Sequence, residues 1–329
     1  MNVSLTPGKL RGLQQIADES GRFCMCAMDH RGSMEKTLCR QPEDDCYQPM
    51  VDFKMELCAV LAPHASAVLL DPLYGAAQAV GRGVLPGNTG LLISIEATGY
   101  DGGKTARLTR VLDGWSVEKI KRMGASAVKM LVYFRPDSGA TAKAQLGTVE
   151  KLALDCLKFD IPFLVEPVSY ALEGETTADY SRRKTDIVVK TAEMMTALPI
   201  DVLKAEFPAD MALKNDEDDL LQACRALDAA SARPWVILSA GADFSVFSRQ
   251  VELACRAGAS GFLGGRAIWQ EAVTMTDREE RRRFLEITAV KRLLELKEAV
   301  RRFGRPWYQK YGLEANRVGD FREGWHKSY

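Results

Sequence analysis

One lysine lies in a setting that favours covalent chemistry. Lys204 is part of the apolar stretch Asp201–Pro208 (DVLKAEFP), which predicts a short buried strand. Burial disfavours the ammonium form, and a neutral amine is a nucleophile that can form a Schiff base with a carbonyl group. Two alternatives are structural: the side chain could extend to solvent at the strand end, or it could pair with Glu206. The stretch therefore predicts a Schiff-base lysine in competition with a structural one.

Three further charged residues stand at or near the ends of apolar runs and could serve the same reaction. Beside Lys204, a second lysine at Lys129 would keep the amine neutral by repulsion between like charges. Glu166 could shuttle protons during dehydration of a carbinolamine, and Asp29 could take the proton of a sugar hydroxyl. Taken singly, Asp29 could only cap a helix, and Lys129 and Glu166 could form a structural ion pair. Convergence of all four on one site would favour catalysis.

Two loops in the last third of the chain predict a phosphate site. Small residues let backbone N–H groups approach an anion, and loops after the last two strands of an eight-stranded barrel commonly bind phosphate. The predicted residues are Ser239, Ala240, Gly241, Gly264, Gly265 and Arg266. Arg266 could add a charged fork, or it could point outward to a surface carboxylate. For a second phosphate the candidates are Arg31, Lys104 and Arg107.

Short apolar runs alternate with helical patterns along most of the chain, and they must position these side chains. Eight runs are predicted as strands: Phe23–Met28, Ala67–Leu70, Leu91–Ile95, Ala127–Val132, Phe163–Glu166, Val202–Glu206, Trp235–Leu238 and Gly261–Gly264. Most are apolar on both faces, which is typical of a parallel sheet covered by helices. Eight evenly spaced units favour a (β/α)8 TIM barrel over the alternative, an open doubly wound sheet.

Helical patterns flank the predicted barrel at both ends. Thr6 and Pro7 predict the start of an N-terminal helix that could close the bottom of the barrel. After the eighth strand, Thr276 and Glu279 predict a capping box, and Gly304 predicts the end of a long charged helix. We expect one domain over 1–329, with the barrel at about 20–275. The C-terminal helix and tail take up 276–329.

The composition argues against several classes of partner. The formal net charge is zero, which disfavours a nucleic-acid or membrane binder, and 47% of the residues are hydrophobic, as in ordinary globular proteins. The eight cysteines include no C-x-x-C pair, which favours free thiols in a reducing compartment over a disulfide framework. The three histidines lack metal-ligand spacing. We expect a cytoplasmic protein with no cofactor and no metal that acts on a small molecule and can form a homo-oligomer.

Eight motifs together carry a resemblance to a known family. In chain order they are MDHRG, LLDPLYG, GLLISIEATGYD, AVKMLVYF, FLVEP, DVLKAEFP, ILSAG and GGRAIW. They are similar to the class I tagatose 1,6-bisphosphate aldolases of the DeoC/LacD superfamily. The resemblance implies that Lys204 is the Schiff-base lysine, with Lys129, Glu166 and Asp29 as the family's other catalytic residues. It also implies reversible cleavage of D-tagatose 1,6-bisphosphate to dihydroxyacetone phosphate and glyceraldehyde 3-phosphate.

Some positions depart from the tagatose pattern. His30 stands where glutamine is expected, and the fifth strand ends in EPV, as in the related sulfofructose 1-phosphate aldolases. The first alternative therefore keeps the mechanism and changes the substrate to 6-deoxy-6-sulfofructose 1-phosphate, which would give dihydroxyacetone phosphate and sulfolactaldehyde. A second alternative is a barrel that senses a sugar phosphate and acts through a protein partner. A metal-dependent aldolase is a third, which the small number of histidines disfavours.

Overall fold

The predicted strands pair with one another in chain order and close into a barrel. The computed structural model describes residues 5–39, 45–213, 215–315, 318–319, 321–327 and 329. The strands are β1 Phe23–Ala27, β2 Ala67–Leu70, β3 Gly90–Ser94, β4 Ala127–Tyr133, β5 Phe163–Val168, β6 Val202–Ala205, β7 Trp235–Ile237 and β8 Gly261–Gly264. Each is parallel to its neighbours, and β8 pairs with β1, so the predicted TIM barrel is confirmed and the open sheet is wrong.

Helices lie between the strands and cover the outside of the barrel. They are α1 Pro7–Ile16, α2 Gly32–Leu38, α3 Tyr47–Leu61, α4 Ala76–Gly81, α5 Val117–Arg122, α6 Ala140–Lys158, α7 Thr177–Thr196, α8 Glu217–Ala230, α9 Phe244–Ala257, α10 Arg266–Trp269, α11 Arg278–Phe284 and α12 Val290–Phe303. Short 3-10 turns span Ala62–His64, Gln270–Thr274, Trp307–Tyr311 and Trp325–Lys327. In the part of the chain described here, no helix combines the length and apolar character needed to cross a membrane.

Alternation along the strands separates the barrel interior from the helix layer. In β1, Phe23, Met25 and Ala27 join the interior cluster, whereas Cys24 and Cys26 pack against helices. The same alternation carries the interior face of the strands from apolar residues to charged ones at their carboxyl ends. The inward charged residues above the apolar layer are Asp29, Glu96, Lys129, Glu166, Lys204 and Glu206. The alternation of side chains along the strands therefore places these charged groups together at the carboxyl end of the barrel.

The N-terminal helix closes the bottom of the barrel, as predicted. Leu10, Leu13 and Ile16 of α1 belong to the interior cluster, and Pro7 occupies the first turn. Thr6 is the N-cap residue, but its hydroxyl donates to Asp160 instead of accepting from the first turn of the helix. The end of the chain reinforces this face, because the hydroxyl of Tyr311 donates to the Asp201 carbonyl at 2.9 Å.

The first helix of the C-terminal extension has its N-cap one residue later than predicted. Asp277, not Thr276, is the N-cap of α11, and it accepts from the backbone N–H groups of Glu279 and Glu280 at 2.8 and 2.9 Å. A carboxylate suits this position because it accepts two N–H groups at once. One π-helical turn, Leu285–Ala289, joins α11 to α12. Five apolar residues of this extension are fully buried: Leu285, Ala289, Leu293, Leu296 and Val300.

The cysteines agree with the expected free thiols except for one pair. Cys39 and Cys46, on the connection between α2 and α3, form a disulfide with Cα atoms 5.9 Å apart. That separation lies within the range a disulfide spans. The expectation of free thiols failed here because the spacing of cysteines along the chain does not give the distance between them in the fold. The free cysteines among the described residues are buried.

A buried ion pair at the bottom of the barrel gives a test of the fold. Lys9 contacts Asp201 at 2.6 Å, and both residues are at most 4% exposed. Burial raises the pKa of Asp201 even with Lys9 beside it. We predict that Lys9→Met lowers the free energy of unfolding by about 3 kcal/mol, because it leaves a carboxylate buried without its partner. Urea denaturation measures this. Lys9→Met combined with Asp201→Leu should recover most of the loss, and equal stability of the single and double variants would contradict the prediction.

Candidate active site

A cleft of about 720 Å³ opens at the carboxyl ends of the strands. Most of the residues predicted for the site line it; Gly241, Gly264, Lys104 and Arg107 do not. Those that line it are Asp29, Arg31, Lys129, Glu166, Lys204, Ser239, Ala240, Gly265 and Arg266. Gly264 ends β8 and faces the helix layer, where an added Cβ would meet the ring of Phe247 at 2.6 Å. Gly241 lies behind the cleft wall, against the side chain of Arg266.

Lys129 forms the centre of a charged cluster at the floor of the cleft. Its ammonium group contacts Asp29 and Glu96 at 2.7 Å each and Glu166 at 3.0 Å. The residue is 1% exposed. Burial alone would favour the neutral amine, but the three surrounding carboxylates outweigh it and raise the pKa of Lys129 well above its usual range. Lys129 is therefore a buried cation.

Lys204 joins this cluster through one carboxylate. Its ammonium nitrogen lies 2.8 Å from Oε1 of Glu166, whose Oε2 is the oxygen that contacts Lys129. Glu166 thus lies between the two lysines and offsets the repulsion that the sequence predicts between them. The alternative partner, Glu206, instead accepts from Lys184 and Ser169. The suggested Lys204–Glu206 pair is therefore wrong.

Two carboxylates of the cluster, Glu166 and Asp29, are ionised. Burial opposes ionisation of Glu166, but Lys129 and Lys204 outweigh it and lower its pKa. Asp29 behaves in the same way: burial raises its pKa, the Lys129 ammonium group lowers it more, and the net pKa is below the usual range. Both groups can therefore accept a proton from a bound substrate once its oxygen atoms approach.

Arg31 extends from the end of β1 across the cleft to the end of β3. Its Nη2 donates to the backbone carbonyl of Glu96 at 2.6 Å. Its Nη1 is buried without a hydrogen-bond partner among the described residues, as is Oε2 of Glu96. Buried polar atoms in native proteins usually have partners, so these atoms indicate where a polar ligand would bind.

The predicted phosphate loops lie side by side on the other wall. Ala240 and Gly241 have φ of 49° and 79°, which turns the chain sharply after β7. An added Cβ at Gly241 would lie 3.2 Å from Nη2 of Arg266, so the small residue admits the guanidinium group. Nε of Arg266 is also buried without a partner among the described residues. Because α10 has only four residues, the charge here comes from Arg266 and not from a helix dipole.

Two of the three candidates for a second phosphate lie away from the cleft. Lys104 is exposed on the connection between β3 and α5. The Arg107 guanidinium packs against the rings of Tyr100, Tyr133 and Tyr170, at 4.9, 5.5 and 4.9 Å from their centroids. Cation–π contacts of this kind stabilise a loop. Among these candidates, only Arg31 lines the cleft.

His30 lines the cleft as a neutral side chain. Its ring packs edge-on against Trp269, with centroids 5.2 Å apart. Burial is the main cause that lowers the pKa of His30 to about 4, and the nearby cations Arg266, Lys54 and Lys204 add to the shift against the opposing effect of Asp29. Its Nδ1 is buried with no partner among the described residues.

Comparison with known proteins assigns the family. A family model described as "DeoC/LacD family aldolase" matches residues 23–271, which is nearly the whole barrel. This chain belongs to the DeoC/LacD family of aldolases. It is therefore an aldolase, a carbon–carbon lyase. Tagatose 1,6-diphosphate aldolase 2 of Streptococcus mutans is 30% identical over 94% of this chain and 99% of that protein. Tagatose 1,6-diphosphate aldolase 1 of Enterococcus faecalis is 32% identical over 80% of this chain and 85% of that protein.

Solved structures share the fold of this DeoC/LacD chain at lower identity. An archaeal fructose 1,6-bisphosphate aldolase has a TM-score of 0.58 and 19% identity, covering 87% of this chain and 98% of that one. The fructose-bisphosphate aldolase of Plasmodium falciparum has a TM-score of 0.71 and 14% identity, covering 93% and 99%. At these identities the likeness establishes the barrel alone.

Glu96 is the cluster residue that the sequence reasoning missed. Glu96 is 6% exposed and contacts Lys129 directly. One signal could have found it: Leu92, Ser94 and Glu96 alternate along β3 and beyond it, so Glu96 shares the inward face. The predicted strand agrees with β3 to within one residue at each end. Glu96 lies two residues beyond β3, where the alternation of inward and outward side chains continues.

The lowered pKa of His30 predicts a specific pH dependence of stability. Its folded pKa of about 4 is below the unfolded value of 6.5, so the unfolded state binds more protons between these pH values. Stability from this group is therefore lost as the pH falls from about 6.5 towards 4. We predict that from pH 7 to pH 5 the wild type loses roughly 1–2 kcal/mol more than His30→Gln, which has no titrating group. Urea denaturation at both pH values measures this, and parallel losses would contradict it.

Proposed function

We propose that this chain is a class I aldolase that reversibly cleaves D-tagatose 1,6-bisphosphate to dihydroxyacetone phosphate and glyceraldehyde 3-phosphate. One observation carries the proposal: a Lys–Glu–Lys cluster lies between two guanidinium groups on opposite sides of one cleft. Arg31 reaches the end of β3, and Arg266 lies against the loop after β7. In a closed barrel of eight strands, β3 and β7 are diametrically opposite. The two cations can therefore bind the two phosphates of an extended ketose with its carbonyl near Lys204.

Glu166 prepares Lys204 for attack. It accepts a proton from the Lys204 ammonium group 2.8 Å away, which leaves a neutral amine. The amine nitrogen attacks the ketone carbon, and the ketone oxygen takes up a proton to give a carbinolamine. Glu166 then returns its proton to the departing hydroxyl, water leaves, and a protonated Schiff base remains. No metal is needed in this scheme, because the iminium supplies the electron sink.

Asp29 serves the cleavage step. It accepts the proton of the C4 hydroxyl, the C3–C4 bond breaks, and the electron pair moves into the iminium to give an enamine. The hydroxyl carbon leaves as the aldehyde of glyceraldehyde 3-phosphate. Protonation of the enamine at carbon and hydrolysis by water then release dihydroxyacetone phosphate and regenerate Lys204. Lys129 holds Asp29 and Glu166 in place throughout, at 2.7 and 3.0 Å.

The two phosphates divide between the walls of the cleft. Ser239, Ala240 and Gly265 line the cleft and would bring backbone N–H groups to the phosphate next to the ketone, with Arg266 as its counter-charge. Gly241 and Gly264 stay predictions for this subsite, since they shape the loops without lining the cleft. Nη1 of Arg31 is free to bind the distal phosphate. The predicted cytoplasmic location, single domain and homo-oligomer also stay predictions.

The names of relatives near 30% identity support the tagatose substrate. 6-deoxy-6-sulfofructose 1-phosphate stays the second candidate, because the two departures from the tagatose pattern lie at the cleft. His30 lines the cleft, and so do Glu166 and Val168 of the EPV sequence. Steady-state cleavage of the two sugars, followed through dihydroxyacetone phosphate release, separates them. A higher kcat/KM for the sulfosugar would move the assignment to the alternative.

Schiff-base chemistry predicts a covalent adduct on one lysine. Borohydride reduces an iminium, so treatment in the presence of dihydroxyacetone phosphate should add the reduced sugar to Lys204 and to no other lysine. Peptide mass spectrometry locates the adduct. Lys204→Arg should give no adduct while remaining folded, and Lys190→Arg, at an exposed lysine of α7, is the control with Lys204 and its cluster intact. An adduct-free wild type would contradict the mechanism; activity lost in chelator would then point to a metal-dependent aldolase.

The role of Arg31 predicts selective loss with one substrate. Arg31→Met removes a charge-assisted hydrogen bond of about 1.5–3 kcal/mol, so kcat/KM for D-tagatose 1,6-bisphosphate should fall roughly ten- to hundredfold. D-tagatose 1-phosphate lacks the distal group and should lose less than about threefold in the same assay. Equal losses for both sugars would assign Arg31 to the shared part of the substrate.

A further inference from the structure

A second buried Lys–Asp pair lies beside the active site and belongs to no step described so far. Lys54 of α3 and Asp71, which follows β2, form an ion pair with Nζ 2.6 Å from Oδ2. Both residues are 0% exposed, and neither lines the cleft. Burial lowers the pKa of Lys54, while Asp71 opposes the shift. Such a pair is costly to bury and contributes little net stability by itself, so its position needs another reason.

The other contacts of Lys54 bracket a catalytic residue. Its ammonium group donates to the backbone carbonyls of Met28 at 2.6 Å and His30 at 2.8 Å. These two residues flank Asp29 in the chain. Lys54 thus donates to both carbonyls, while its charge pairs with that of Asp71. The backbone on each side of Asp29 is therefore held by a single cation.

Asp71 anchors that cation to the barrel. Its second oxygen, Oδ1, accepts from the backbone N–H groups of Leu73 at 2.9 Å and Tyr74 at 2.8 Å. The turn after β2 thus holds Asp71, Asp71 holds Lys54, and Lys54 holds the end of β1. Asp29 needs this support because it lies beyond the last residue of β1, outside the ladder of strand hydrogen bonds.

We propose that Lys54 is a positioning residue for Asp29: by binding the carbonyls of Met28 and His30 it sets where the Asp29 carboxylate meets the substrate hydroxyl. The inference rests on the proposed function, in which Asp29 takes that proton. The Asp29 carboxylate also contacts Lys129 at 2.7 Å, so it is held from the backbone by Lys54 and from the carboxylate by Lys129.

This role affects one step of the reaction and spares another. Schiff-base formation with dihydroxyacetone phosphate uses Lys204 and Glu166, which stand on β6 and β5. Cleavage of the full sugar also needs Asp29 in register with the C4 hydroxyl. A displacement of about 1 Å in a catalytic group can lower a rate roughly a hundredfold. Loss of Lys54 should therefore reduce cleavage and leave adduct formation unchanged.

The test compares the two steps in Lys54→Met, a substitution that keeps the length of the side chain and removes its charge and donors. We expect kcat for D-tagatose 1,6-bisphosphate to fall by about a hundredfold with KM nearly unchanged. The yield of borohydride-trapped dihydroxyacetone phosphate on Lys204 should stay within about twofold of wild type. In an Asp29→Asn background, Lys54→Met should cause no further loss of kcat, because the two residues act as one unit.

Lys9→Met is the matched control, since Lys9–Asp201 is also a buried pair at 2.6 Å but lies at the opposite end of the barrel. It should destabilise the protein without separating trapping from cleavage. If Lys54→Met changes both steps in equal proportion, as a general loss of folded protein would, the positioning role is overturned. If Lys54→Met does not fold, Lys54→Met combined with Asp71→Asn, which removes the uncompensated carboxylate charge, is judged by the same ratio.

The wild type distinguishes the two levels of failure. Wild-type protein that forms the Lys204 adduct and cleaves the sugar, with Lys54→Met behaving like Lys9→Met, overturns the positioning role alone. Wild-type protein that forms no adduct overturns the proposed function first and the role of Lys54 with it. Urea denaturation of every variant confirms that the protein assayed is folded.

Discussion

The contact of one ammonium group with three carboxylates is the interaction on which the site depends. Lys129 is 1% exposed, and its charge is tolerated there because Asp29, Glu96 and Glu166 surround it. The dependence is mutual, since three carboxylates so close together would repel one another without the cation. Adding Lys204 gives a cluster of two ammonium groups and three carboxylates. Proton transfer within such a cluster moves charge over short distances and needs little rearrangement.

The barrel holds this charged cluster directly above a layer of apolar residues in its interior. Alternation along the strands places residues such as Met25, Leu164 and Val202 inside, directly below the charged layer. Helix α1 and the buried Trp307 close the bottom, and the cluster lines the cleft at the opposite end of the barrel. The low polarity below the cluster strengthens the electrostatic interactions in the site. The open mouth above it lets substrate enter.

Around the central cluster, further ion pairs hold the strand ends. Lys54 with Asp71 supports the end of β1, and Lys184 with Glu206 supports the end of β6. Both cations bind backbone or hydroxyl groups as well as their carboxylate: Lys184 contacts the hydroxyl of Ser169, as Lys54 contacts backbone carbonyls. The chain leaves the regular sheet at these ends, where ladder hydrogen bonds stop. Side-chain cations take over the positioning that the ladder provides lower in the barrel.

The sequence by itself determined the eight strands and their order, and it predicts Lys204 as the Schiff-base lysine. Both follow from local properties, namely apolar runs and the cost of a buried amine. The sequence also placed Glu166, Lys129 and Asp29 at strand ends. Only the tertiary structure decided which charges touch: that Glu166 and not Glu206 meets Lys204, that Glu96 joins the cluster, and that Lys54 brackets Asp29. Such pairings depend on the register and closure of the barrel, which bring together side chains far apart in the chain. The disulfide between Cys39 and Cys46 was missed because the spacing of two cysteines along the chain does not give their distance in the fold.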